Sequence, residues 1–153
     1  HVTGVQTCAL PISNVKLTTL PIYRESLRLA MASEHPLARK TEITPVEMSA
    51  EPYLDRLHCE FRSTLIKHFM DRNIVMRPRF HSEREDWVQQ MVAIGAGICA
   101  LPDRSIIVDG IVLRPVKGLD LSREVSLVAV SGSGNPREVR KILSMARQFD
   151  WSL

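Results

Sequence analysis

Cys59 is flanked by His58 and Glu60, with Arg62 three positions further on. A thiol at a helix N-terminus can acquire a lowered pKa and act as a nucleophile or redox centre, and the flanking His and Glu imitate a base with its orienter. In an extended segment, however, side chains at i−1 and i+1 point away from the residue between them, so His58 and Glu60 do not assemble a triad around Cys59. The redox reading lacks an obvious resolving cysteine, because Cys99 sits in an apolar run that reads as packing. A metal site could be imagined from His58, Cys59, His68 and His81. Yet no C-x-x-C or H-x-x-x-H pair supplies the usual chelating spacing. The residues therefore predict no catalytic group, no metal and no cofactor.

The bulk numbers bound the remaining possibilities. A chain of 153 residues, 44% hydrophobic and 24% charged, is the size and composition of one soluble globular domain. The formal net charge is +3, but its 20 basic and 17 acidic residues are interspersed, with no Lys/Arg block that would track a phosphate backbone. Three cysteines (Cys8, Cys59, Cys99) fit free thiols in a reducing cytosol rather than a disulfide scaffold. The longest apolar run, Met91 to Pro102, contains two glycines and falls short of the roughly 20 residues of a membrane helix. His1 to Ser13 has no basic n-region and too short an apolar patch for a secretory signal. That stretch resembles translated sequencing-adaptor read-through, so residues 1–13 are expected to be a leader foreign to the fold.

Patterning then gives the elements that must position any site. Leu27, Leu29 and Met31 share a face at period two, predicting a strand over Ser26 to Ala32 that stops at Glu34-His35-Pro36. A polar loop is expected over Glu34 to Thr41, with His35 hydrogen-bonding backbone inside it. Thr44-Pro45-Val46-Glu47 is a capping box that starts a short helix. A strand over Pro52 to Leu57 precedes a helix over Glu60 to Arg72, with Phe61, Leu65, Ile66 and Phe69 at helical spacing. Arg77 to His81 reads as a strand, and Ser82-Glu83-Arg84-Glu85 as a second capping box. The following helix carries a stripe of Trp87, Val88, Met91, Val92 and Ile94 and ends at Gly95. Strands are predicted over Ile98 to Leu101, Ile111 to Val116 and Glu124 to Ser131, with a single helical turn at Pro102-Asp103. Pro136 opens a last amphipathic helix. Strands alternating with helices imply an α/β domain with a mainly parallel sheet.

The order of strand, His35-Pro36-Leu37-Ala38, short helix, strand, helix, strand, and a helix ending in Gly95-Ala96-Gly97-Ile98 before Leu101-Pro102 resembles the regulatory domain of LysR-type transcriptional regulators. The resemblance covers residues 20–151. It implies Rossmann-like lobes of a type 2 periplasmic-binding-protein-like fold, with the second lobe (52–113) complete and the first represented by residues 20–51 and 114–151. The family's winged helix-turn-helix and linker helix lie outside this sequence.

The resemblance also implies where a ligand sits: between lobes, against the starts of the helices that follow the second-lobe strands. Unpaired backbone N–H groups and the positive dipole end suit an anion there. The corresponding positions are Cys59, Glu60, Phe61 and Arg62, then Ser82 and Glu83, with Gly97 and Ile98 as a third wall where glycine allows close backbone approach. Arg62 reads either as a carboxylate clamp, through two parallel hydrogen bonds, or as a surface partner of Glu60 or Asp55. Ser82 reads as an N-cap or a ligand contact. The implied protein is a cytoplasmic binding module and not an enzyme. It would be a homodimer or tetramer when full length, would meet DNA only through its N-terminal domain, and would not engage a membrane. An extracytoplasmic solute-binding protein and a small Cys59-dependent enzyme remain the competing readings.

Overall fold

The computed structural model describes residues 17–131 and 135–151; Cys8 and the expected foreign leader lie outside them. By contacts the chain divides into one compact unit, Ser26–Ser122, and a second made of the residues up to Glu25 with those from Arg123 onward.

The larger unit is built on a twisted sheet whose strands are β1 (Leu17–Ala32), β2 (Tyr53–Arg56), β3 (Pro78–Ser82), β4 (Cys99–Pro102) and β5 (Ile111–Arg114). β2 and β3 are parallel, and β2 continues to the β4 segment through the parallel bridge of Tyr53 with Ile98. Both β4 and β5 pair antiparallel with β1. The spatial order is therefore β3-β2-β4-β1-β5, and four strands run one way while β1 runs against them. The expectation of a mainly parallel sheet holds for β2 to β5. The alternating pattern could not reveal that β1 opposes its neighbours, because direction depends on partners distant in sequence.

Period-two alternation sends side chains to two cores on opposite faces. Leu27, Leu29 and Met31 pack on one face with Ile43, Met48, Leu65 and Phe69, whereas Ala30, Leu54, Cys99 and Leu101 pack on the other with Val88 and Val92. The first face is covered by α1 (Pro45–Ala50) and α2 (Arg62–Met70), the second by α3 (Glu85–Ala93). The Thr44 capping box forms as expected: its hydroxyl accepts from Glu47 N–H, and the Glu47 carboxylate accepts from Thr44 N–H.

Helix ends follow backbone chemistry. Past α2, Asn73 takes a left-handed φ of 57°, with Ile74 N–H bonded to Phe69 C=O and Asn73 N–H to Met70 C=O. Past α3, Gly95 (φ 78°) closes the same double-bonded stop through Ala96 to Met91 and Gly95 to Val92. α3 also buries one polar side chain completely. Gln89 donates from Nε2 to Ser105 C=O and accepts at Oε1 from Ile107 N–H, so the loop after β4 is tied to the helix.

Several expectations are corrected. β1 begins at Leu17, well before Ser26, and β6 (Ser122–Val130) pairs with it. The loop after β1 contains a 3-10 turn, Pro36–Arg39, on which His35 acts as cap by accepting from Leu37 N–H. Pro102 ends β4 and Asp103-Arg104 form a turn, with no helix there. In α3 the inward face is Val88, Gln89 and Val92, while Trp87 and Ile94 are 56% and 79% exposed. Hydrophobicity alone could not tell that face from its neighbours. In the smaller unit α4 (Arg137–Gln148) buries Ala146 and leaves Ile142, Met145 and Phe149 exposed. There Arg123 pairs with the buried Glu25.

Candidate functional site

Parallel pairing brings the C-terminal ends of β2 and β3 side by side, with Asp55 opposite His81 and Arg56 opposite Ser82. Alternation then turns Asp55 and Arg56 to opposite faces, and each builds a polar group on its own side. On the α2 face, Asp55 is buried and accepts from Arg62 Nε and Nη2 at 2.8–3.1 Å and faces His81 Nδ1 at 3.1 Å. On the α3 face, Arg56 donates to Ala100 C=O at 3.2 Å and to Glu85 at 2.5 Å. A buried charge is retained only where it is paired and hydrogen-bonded, and both pairs meet that condition.

Arg62 opens α2. Its side chain is 38% exposed, against 6% for that of Asp55. The carboxylate therefore orients the guanidinium from below while one edge faces solvent. Of the two readings of Arg62, the pairing with Asp55 is present, and the aspartate also raises the Arg62 pKa by hydrogen bonding and charge.

The other expected site residues fall into three groups. Cys59 and Glu60 are half-buried in the turn between β2 and α2, where Cys59 C=O accepts from Arg62 N–H. Burial pushes the Cys59 thiol up, with the Arg56 cation opposing, which is the reverse of an activated thiolate. Phe61 packs against the core beside α2. Ser82 ends β3 and Glu83 is exposed, 3.5 Å from His58. The second capping box does not form: the Ser82 hydroxyl bonds Arg84 N–H and C=O, Arg84 is the cap residue, and no side chain caps α3. The helix starts two residues too late for Ser82 to cap it.

At Gly97 and Ile98 the neighbouring backbone is that of the sheet. A Cβ on Gly97 would lie 2.4 Å from Pro52 C=O, so the close backbone approach there is to β2. Ile98 is fully buried, and its N–H and C=O are taken by Pro52 C=O and Leu54 N–H. Asp55, Arg56 and Glu85 are the polar residues of these groups that the sequence reading left out of the site. Their only signal was two charges, Asp55-Arg56, inside an otherwise apolar strand. Among the described residues no group of three His, Cys, Asp or Glu side chains is arranged to hold a metal.

Two hollows adjoin these groups. A recess of about 30 Å³, room for roughly one water, lies between Arg56, His58, Ser82, Glu83 and Glu85. On the α2 face a cleft of about 710 Å³ runs past Asp55, Arg62 and His81, walled by Tyr53, Leu65 and Phe69.

The family described as LysR substrate binding domain matches residues 7–150. The chain belongs to this LysR family. MetR of Escherichia coli, an HTH-type transcriptional regulator, is 34% identical over 82 residues, which are 54% of this chain and 26% of that protein. The chain thus spans about a quarter of that curated relative. Among solved structures, the fold is similar to the regulatory domain of Synechocystis CcmR in complex with 2-PG, with a TM-score of 0.71 at 18% identity over 91% of this chain and 69% of that one. It is also similar to the effector binding domain of QuiR in complex with shikimate, with a TM-score of 0.66 at 17% identity over 86% and 64%. The expected LysR-type, periplasmic-binding-protein-like α/β fold is thus the one found, and LysR relatives act as transcriptional regulators. Among the described residues no helix is long and apolar enough to cross a membrane.

Proposed function

We propose that this LysR-family chain senses a small organic anion and binds it without transforming it. The observation that carries the reading is Arg62: a guanidinium at a helix start, oriented by a buried carboxylate and open to solvent on one edge. Cys59 and Glu60 lie beside Arg62 in the turn between β2 and α2, while Ser82 and Glu83 line the recess on the Arg56 side. A thiol pushed up by burial supports a binding role over a Cys59-dependent enzyme. In the full protein, ligand binding would bias an existing equilibrium and so alter how a homodimer or tetramer holds DNA through its N-terminal domain, in the cytoplasm.

Titration calorimetry with propionate, octanoate and succinate, followed by mass analysis of the recovered ligand, tests this. A carboxylate should bind, weaken at least tenfold in Arg62→Ala, and be recovered unchanged. Turnover of the ligand, with Cys59 modified in the process, would overturn the proposal.

A further inference from the structure

We infer that the cleft along α2 is the pocket for the body of the ligand, and that the ligand is an amphiphilic monocarboxylate. This rests on the anion-binding reading of Arg62 and adds the chemical class. The cleft holds about 710 Å³, inside the range of roughly 300–1,000 Å³ usual for small-molecule sites, whereas the recess by Ser82 and Glu83 has space for about one water.

The two ends of the cleft differ chemically. Arg62 is the first residue of α2 and Met70 the last, so the wall runs for about 12 Å at 1.5 Å per residue. At the Arg62 end sit Asp55 and His81; along the rest, Leu65, Ile66, Phe69 and Met76 are apolar. Asp55 and Arg62 neutralise one another, so an arriving carboxylate is held by hydrogen bonds from the solvent-facing part of the guanidinium and the His81 ring rather than by a free charge. Methylene groups laid along the wall leave water for an apolar surface. A wall of that length accommodates an extended chain of about eight carbons.

Calorimetry on the full chain with propionate and octanoate distinguishes the claims. Octanoate should bind at least tenfold more tightly than propionate. Ile66→Glu and Met70→Lys place charges on partly exposed positions of the wall and should remove that advantage. Ile142→Glu, on the exposed face of α4, should alter neither and so excludes adsorption there. Equal binding of the two acids, or an octanoate advantage that survives both wall substitutions, overturns the cleft assignment alone. Failure of every carboxylate to bind overturns this assignment together with the Arg62 reading.

Discussion

Replacing Gly97 by alanine should cost more than replacing Gly95, although Gly95 is the glycine with the unusual backbone angle. At Gly95, φ is 78° and an added Cβ meets nothing within 4 Å, so the penalty is backbone strain of about 1–2 kcal/mol. At Gly97 the added Cβ falls 2.4 Å from Pro52 C=O and 3.1 and 3.2 Å from two carbons of Leu54. The obstructing oxygen is backbone, and it accepts Ile98 N–H at 2.8 Å across the β2–β4 junction. It cannot retreat without loosening that bond. Overpacking costs about 1–3 kcal/mol and a weakened hydrogen bond about 0.5–1.5 kcal/mol, so Gly97→Ala should lose about 3 kcal/mol. For a chain of this length that lowers Tm by about 6–12 °C, against about 2–8 °C for Gly95→Ala. Urea unfolding of both variants measures the difference through the midpoint at constant slope. A Gly97→Ala protein within about 0.5 kcal/mol of the parent, or more stable than Gly95→Ala, would refute the packing account.

Arg56→Ala should destabilise by about 2 kcal/mol, less than the 3–5 kcal/mol of a wholly buried pair because the Glu85 side chain is 38% exposed. A double-mutant cycle with Glu85→Ala that showed no coupling would contradict the pairing. The Glu47 carboxyl is held down to about 2 by hydrogen bonds from Lys40 and Thr44, below its ordinary 4.5. A depressed folded value means that its contribution is complete above about pH 4.5 and is lost as pH falls toward about 2. Carboxyl NMR should show this titration, and Lys40→Met should move it upward; a Glu47 that titrates at its ordinary value would count against the capping geometry. Burial raises both the Cys59 and Cys99 thiols, Cys99 more strongly, so iodoacetamide at neutral pH should label Cys59 slowly and Cys99 only after unfolding. Peptide mass mapping that found Cys99 labelled first in the folded protein would reverse that order.

Elements whose signal is local were legible in the sequence. The Thr44 capping box, the Gly95 stop and the period-two face of Leu27, Leu29 and Met31 each depend on residues within a few positions of one another. Features that depend on distant partners were hidden. The early start of β1 requires β6, and the opposed direction of β1 requires β4 and β5. The Asp55–Arg62–His81 group requires parallel register between β2 and β3, which places residues 26 positions apart in contact. The polar atoms of Ser82 and Ile98 are engaged in different ways. The first spends its hydroxyl on the turn at Arg84, and the second is consumed by the sheet. A motif can indicate that a strand hands over to a helix, but which atoms remain unspent there depends on the neighbouring strand.

Gln89 makes the loop after β4 a dependent of α3. Its single amide both receives Ile107 N–H and supplies Ser105 C=O, so neither loop group can reach solvent while the helix turn is intact. Amide exchange at Ile107, on a residue whose surface is largely wet, should therefore proceed at the pace of the buried helix. The loop keeps time with the core instead of fluttering on its own.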